Sequence, residues 1–109
     1  MKPAKKSTTS VLCADKLRVL ADVTRLSVME ALLDGPKNVT EMNERLKIDQ
    51  SLLSHHLKVL RDAKLVTARR EGKAVRYSVA PDALSGDAGK GLNLGCCQIS
   101  FVQFRPGKK

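Results

Sequence analysis

At 109 residues and 42% hydrophobic content, the chain can fill one modest core but not two, and it is too apolar to be disordered throughout. Twenty Lys and Arg against 11 Asp and Glu give a formal charge of +9; such an excess points to a polyanionic partner, usually nucleic acid, with plain solubility as the ordinary alternative. No apolar run approaches the roughly 20 residues of a membrane helix, and no apolar signal segment follows the basic start, so the chain reads as cytoplasmic, without membrane contact, its three cysteines reduced by default.

Residues 1–9 carry almost no apolar content and read as a disordered basic arm. A helical pattern starts at Ser10, with Leu12, Lys16, Val19 and Leu20 at helical spacing and Leu17 extending the apolar face. Asp22 has the character of an N-cap for a second helix through Asp34, whose apolar residues are Leu26, Met29, Leu32 and Leu33. Gly35-Pro36 ends it. A short third helix follows Thr40, whose hydroxyl is placed to cap it, with Met42 and Leu46 facing one way. After a tight turn at Lys47-Ile48, Asp49 caps a fourth helix, "QSLLSHHLKVLRDAKL". Its Leu53, Leu57 and Leu60 follow the i, i+4, i+7 rule and point inward.

The period changes beyond Leu65. "VTARREGKAVRYSVA" holds two β-prone runs about a turn at Glu71-Gly72-Lys73, closed by Pro81. "SGDAGKG" reads as a flexible link, and "NLGCCQISFVQF" as a short extended segment. The organisation is therefore a basic arm (1–9), a winged-helix domain (10–80) and a C-terminal tail with a cysteine pair (81–109). The fold class is mainly α with a small β-hairpin: a winged helix-turn-helix, ordered α-α-α-α-β-β, with an extended tail.

That order serves double-stranded DNA. A helix fits the major groove and presents donors and acceptors to base edges from its first turns. Gln50 and Ser51 stand at that end of the fourth helix, and Ser54, His55 and Lys58 follow on the same face. Arg69, Arg70, Lys73 and Arg76 crowd the hairpin, placed for phosphates or the minor groove. The bland alternative for both features is a solvated helix face and an ordinary charged hairpin.

Three motifs carry a family resemblance. "LADVTRLSVMEAL" is similar to the helix entry LADxTRLxILxxL, with Val23 where proline is usual. "SLLSHHLKVLRDAKLV" is similar to the recognition-helix signature SxVSxHLKxLRxAGLV, and "RREGKAVRYSV" ends in the wing pattern G-(K/R)-x-V-x-Y. Across about residues 17–79 the chain resembles the ArsR/SmtB family of bacterial winged-helix repressors. The resemblance implies a homodimer on a pseudo-palindromic operator, with recognition helices about 34 Å apart. It also implies release by a metal or another thiol-reactive inducer, a dimer surface on the first helix, a DNA-facing His55 and a packing or capping role for His56.

The family's inducer positions are mostly absent: the third helix has Val39, Thr40, Glu41 and Met42 without a thiol, and no histidine follows the wing. Cys13, Cys96 and Cys97 remain as metal-ligand candidates. Three thiolates suit a soft ion: arsenite or antimonite, then cadmium, lead or bismuth. Gly95 lets the backbone bend so that neighbouring cysteines ligate one ion, whereas a Cys96–Cys97 disulfide is strained. No constitutive cofactor is implied. A buried Cys13 and a structural cysteine pair are the plain alternatives, and redox or persulfide sensing is a further one. A non-specific DNA-architectural protein is the rival of another class. A thiol oxidoreductase or metal carrier lacks its Cys-x-x-Cys. No Ser-His-Asp set, paired carboxylates or phosphate loop supports an enzyme.

Overall fold

The computed structural model describes residues 8–85 and 91–102. Most of the expected basic arm, most of the "SGDAGKG" link with Asp87, and Phe104 lie outside the described residues. Helix α1 runs Thr8–Leu20 and α2 runs Val23–Leu33. Asp22 caps α2 as its sequence position implies, accepting from the Arg25 amide at 3.0 Å. Val23 occupies the first helical position, where an amide lacks a helical acceptor and proline is at home. It packs against little, at 83% exposure.

A strand, β1 (Lys37–Asn38), precedes helix α3 (Val39–Leu46). The cap of α3 is Asn38 rather than Thr40. Asn38 accepts from the Glu41 amide while the Glu41 carboxylate accepts from the Asn38 amide, a reciprocal capping box. Thr40 sits exposed at the second helical position. Lys47 takes a left-handed φ of 56° at the end of α3, and the Ile48 amide donates to the Asn43 side chain at 2.7 Å. Helix α4 (Gln50–Asp62) begins at its Asp49 cap and stops before the expected Leu65. Lys64 breaks the helix with a φ of 64°, at the position where the family signature carries glycine.

Strands β2 (Val66–Glu71) and β3 (Ala74–Val79) form the expected hairpin, in register from Val66 opposite Val79 to Glu71 opposite Ala74. No residue pattern announces that β1 joins them. It pairs with β3, Lys37 opposite Tyr77, so the wing sheet has the order β1-β3-β2. Two residues are too short to declare a strand by alternation.

After a 3-10 turn at Pro81–Ala83, the C-terminal segment forms its own hairpin, β4 (Gly91–Asn93) and β5 (Gln98–Ser100). Gly91 is buried, and a Cβ there would meet the Ile99 carbonyl oxygen at 2.9 Å. Leu92 and Leu94 enter the same apolar cluster as Met29, Met42, Leu53 and Leu57. The core thus runs across the expected boundary at residues 80/81, and residues 91–94 pack as part of the domain rather than as an appendage.

Candidate functional site

Two features of this fold bear chemistry. The first is the outer face of α4. Leu53, Leu57 and Leu60 are fully buried, which turns Gln50, Ser51, Ser54, His55 and Lys58 outward, all exposed. Asp49 consumes the Leu52 amide, and Lys58 pairs with Asp62 at 3.2 Å on the surface. Gln50 also borders a cleft shared with Thr40, Lys73 and Tyr77, so the start of α4 opens toward the wing.

On the wing, Arg69, Arg70 and Lys73 are exposed, and none of them has an ion pair among the described residues. Arg76, also expected to meet phosphate, is engaged within the protein. Its Nε donates to Glu71 Oε1 at 2.8 Å, and one terminal nitrogen reaches the Pro36 carbonyl at 3.3 Å and Glu41 Oε1 at 3.6 Å. The hydrogen bond to Glu71 raises the pKa of Arg76 above its ordinary value. Arg76 therefore ties the hairpin to β1 and the first turn of α3, work that its position in a basic run did not reveal.

His55 and His56 part company as helical geometry requires. His55 is exposed, while His56 is 7% exposed and accepts a hydrogen bond at Nδ1 from Arg25 Nε, 3.0 Å away. Sequence reasoning missed Arg25. It stands inside "LADVTRL", yet an arginine in a first helical turn reads as a surface charge unless its buried acceptor is known.

The second feature is the set of cysteines. Cys13 lies in the second turn of α1, and Cys96 and Cys97 lie in the turn between β4 and β5. Gly95 takes a φ of 93°, the Leu94 amide donates to the Cys97 carbonyl at 2.9 Å, and the Gly95 amide donates to Asn93 Oδ1. That bend turns both thiols toward α1. All three sulfurs lie within 4.8 Å of one another, each residue half-buried. Cys13 and Cys96 are joined as a disulfide with Cα atoms 5.9 Å apart, against the expectation of three reduced thiols. Cys97 Sγ is free, 3.2 Å from the Cys13 sulfur and 3.8 Å from that of Cys96.

Sulfurs bound at about 2.3 Å to a zinc-sized ion stand roughly 3.8 Å apart. Once reduced and deprotonated, the trio is therefore within reach of one soft ion. Among the described residues no carboxylate or imidazole joins these sulfurs, so the donor set is purely thiolate. It favours soft ions over those that prefer oxygen or nitrogen.

Comparison with known proteins gives the same outline. Residues 22–68 match the family model described as "Bacterial regulatory protein, arsR family". The HTH-type transcriptional regulator NmtR of Mycobacterium tuberculosis is 39% identical over 66 residues, 61% of this chain and 55% of that protein. A probable mercury resistance operon repressor of Streptomyces lividans is 45% identical over 62 residues, 57% of this chain and 50% of its own. The chain thus spans about half the length of these curated relatives. The solved structure of HlyU from Vibrio cholerae superposes with a TM-score of 0.66 at 35% identity, covering 69% of this chain and 82% of that one. The curated HlyU of that organism is a transcriptional activator. None of the three is an enzyme by name. With the winged helix-turn-helix they share and the family motifs it carries, this chain belongs to the ArsR family of bacterial regulatory proteins.

Proposed function

We propose that the chain is a transcriptional repressor that binds a DNA operator as a homodimer and lets go when a thiophilic ion is held by Cys13, Cys96 and Cys97. The observation that carries the reading is the convergence of three sulfurs, from opposite ends of the chain, within 4.8 Å. Gln50, Ser51, Ser54 and His55 supply base-edge contacts from an exposed helix face, and Arg69, Arg70 and Lys73 supply phosphate contacts from the wing. Val11, Leu12 and Leu17 leave three large apolar side chains on α1 uncovered, which supports a two-fold partner there. The regulated site is an inducer site, with no resident cofactor.

Arsenite and antimonite suit three thiolates, and cadmium, lead and bismuth follow. The S. lividans relative named for mercury resistance adds mercuric ion to the candidates. A second reading has its own observation: the Cys13–Cys96 disulfide supports a repressor that answers to oxidation, using the same cysteines. The two are separated by operator binding of the reduced protein, titrated with arsenite, antimonite, cadmium, mercuric ion and zinc without air, beside a Cys96→Ser/Cys97→Ser variant. Release of the wild type alone by an ion supports the ion reading. Release by peroxide and by no ion supports the redox reading. Equal affinity for operator and unrelated DNA leaves a DNA-coating protein and overturns both.

A further inference from the structure

We propose that Arg25 is the positioning residue that couples the thiol-bearing helix α1 to the recognition helix α4; the inference rests on the inducer reading above and supplies its path. Arg25 touches three parts of the molecule through separate atoms. Its amide donates to the Asp22 cap at 3.0 Å, a terminal guanidinium nitrogen donates to the Val19 carbonyl at 3.0 Å, and Nε donates to Nδ1 of the buried His56 at 3.0 Å.

Each contact has a reason. Val19 lies in the last turn of α1, where carbonyls lack a helical donor and a cation is favourable. His56 accepts at Nδ1, which puts its proton on Nε2 and fixes the ring face. His56 follows Ser54 and His55 and precedes Lys58 along α4, so the roll of the helix that sets its ring also sets the outward face. A guanidinium has several rigidly spaced donors, and this one bridges two acceptors at once; an ammonium on the same stem does not hold both geometries.

Cys13 precedes Val19 by six residues, about 9 Å along one rigid helix. A displacement of Cys13 toward or away from the Cys96-Cys97 turn is delivered to the Val19 carbonyl, and from there through Arg25 to His56. The alternative is that Arg25 only fastens three helices together and carries no signal.

The test compares wild type with Arg25→Lys, using arsenite and cadmium as probes. Ion affinity is read from thiolate absorption, operator affinity with and without the ion, and melting temperature alongside. Wild-type operator affinity is expected to fall about 5–150-fold on ion binding, the usual range of such coupling. In Arg25→Lys the ion still binds within about twofold of wild type, while release shrinks toward onefold. Full release by the variant, whatever its melting temperature, overturns the relay.

A second measurement needs neither DNA nor ion: the imidazole nitrogen resonances of His56, before and after reduction of the Cys13–Cys96 disulfide. They are expected to move in wild type and to stay fixed in Arg25→Lys. No movement in wild type overturns the relay. Movement there, with no ion releasing the operator, leaves the relay standing and sinks the ion-inducer reading instead.

Discussion

The sulfurs of Cys13 and Cys97 lie 3.2 Å apart across 84 residues of chain. Two placements produce this: Cys13 sits in the second turn of α1, and the Gly95 bend delivers the tail cysteines to it. The Cys13–Cys96 link closes a loop of separation 83, and a link of that span contributes typically about 2–4 kcal/mol. Reduction is therefore expected to lower the melting temperature. A soft ion added to the reduced protein restores stability by mass action, and the restoration grows with ion concentration. Cys97→Ser keeps the disulfide but removes one of three ligands. It should melt like wild type when oxidised and lose most of the ion-dependent gain when reduced. An equal gain in that variant would mean that Cys97 is no ligand.

Leu92 tests whether the β4–β5 hairpin belongs to the core. Its side chain is fully buried in the apolar cluster that also holds Met42 and Leu57. Leu92→Ala removes buried methylenes and leaves a cavity, at a cost of about 2–5 kcal/mol. Chemical denaturation of the reduced proteins isolates this cost from the disulfide. A change under about 0.5 kcal/mol would mean that the segment is an appendage after all.

The helices were readable because their signals are local. Asp22 and Asp49 precede apolar periodicity, and Leu53, Leu57 and Leu60 announce the inner face of α4; each cap and each leucine stands where that pattern places it. The cap of α3 was misplaced because Thr40 and Asn38 are both capping residues, and the strand partner that fixes Asn38 lies at Arg76. Such long-range facts leave no periodic trace. The same holds for the site: the cysteines were visible as residues, but their meeting depends on α1 and a Gly95 bend 82 residues later. The bond from Arg25 to His56 and the ties of Arg76 to Glu71 and Glu41 were hidden for the same reason.

Lys64 carries a φ of 64° where the resembling signature has glycine. A left-handed L-residue costs roughly 1–2 kcal/mol. Glycine would relieve that cost but adds about 0.4–1 kcal/mol of unfolded-chain entropy to be lost on folding. Lys64→Gly is thus expected to stabilise the fold by up to about 1 kcal/mol, a rise of several degrees in melting temperature. A lower melting temperature would show that the strain is compensated locally.

Arg70 and Arg76 look interchangeable in the sequence and are opposites in the structure. Arg70 is exposed without an ion pair among the described residues, whereas Arg76 spans Glu71, Glu41 and the Pro36 carbonyl. Replacing Arg70 by Ala should weaken binding to all DNA sequences and reduce the salt slope by roughly 0.9. Replacing Arg76 should leave the slope nearly unchanged and loosen the wing sheet, seen as faster amide exchange in β1 and β3. Equal loss of slope in both would return Arg76 to the phosphate contacts.

Asp22 gives the fold a defined acid limit. The Arg25 amide donates to its carboxylate and holds its pKa below the ordinary value of 3.8; burial opposes this, and the neighbouring His56 and the Arg25 guanidinium lower it further. A group whose folded pKa is depressed contributes stability above its unfolded pKa and loses it as pH falls through the folded pKa. Asp22→Ala is expected to cost about 1 kcal/mol near neutral pH, the usual value of an N-cap. Asp22→Asn keeps an acceptor and costs less, so the gap between these two variants isolates the cap from the charge. As pH falls below about 4, wild type loses its advantage over Asp22→Asn, while both stay ahead of Asp22→Ala. Urea denaturation of the three proteins at pH 7, 4 and 3 measures this; a wild-type advantage over Asp22→Asn that grows on acidification would reverse the sign and refute the assignment.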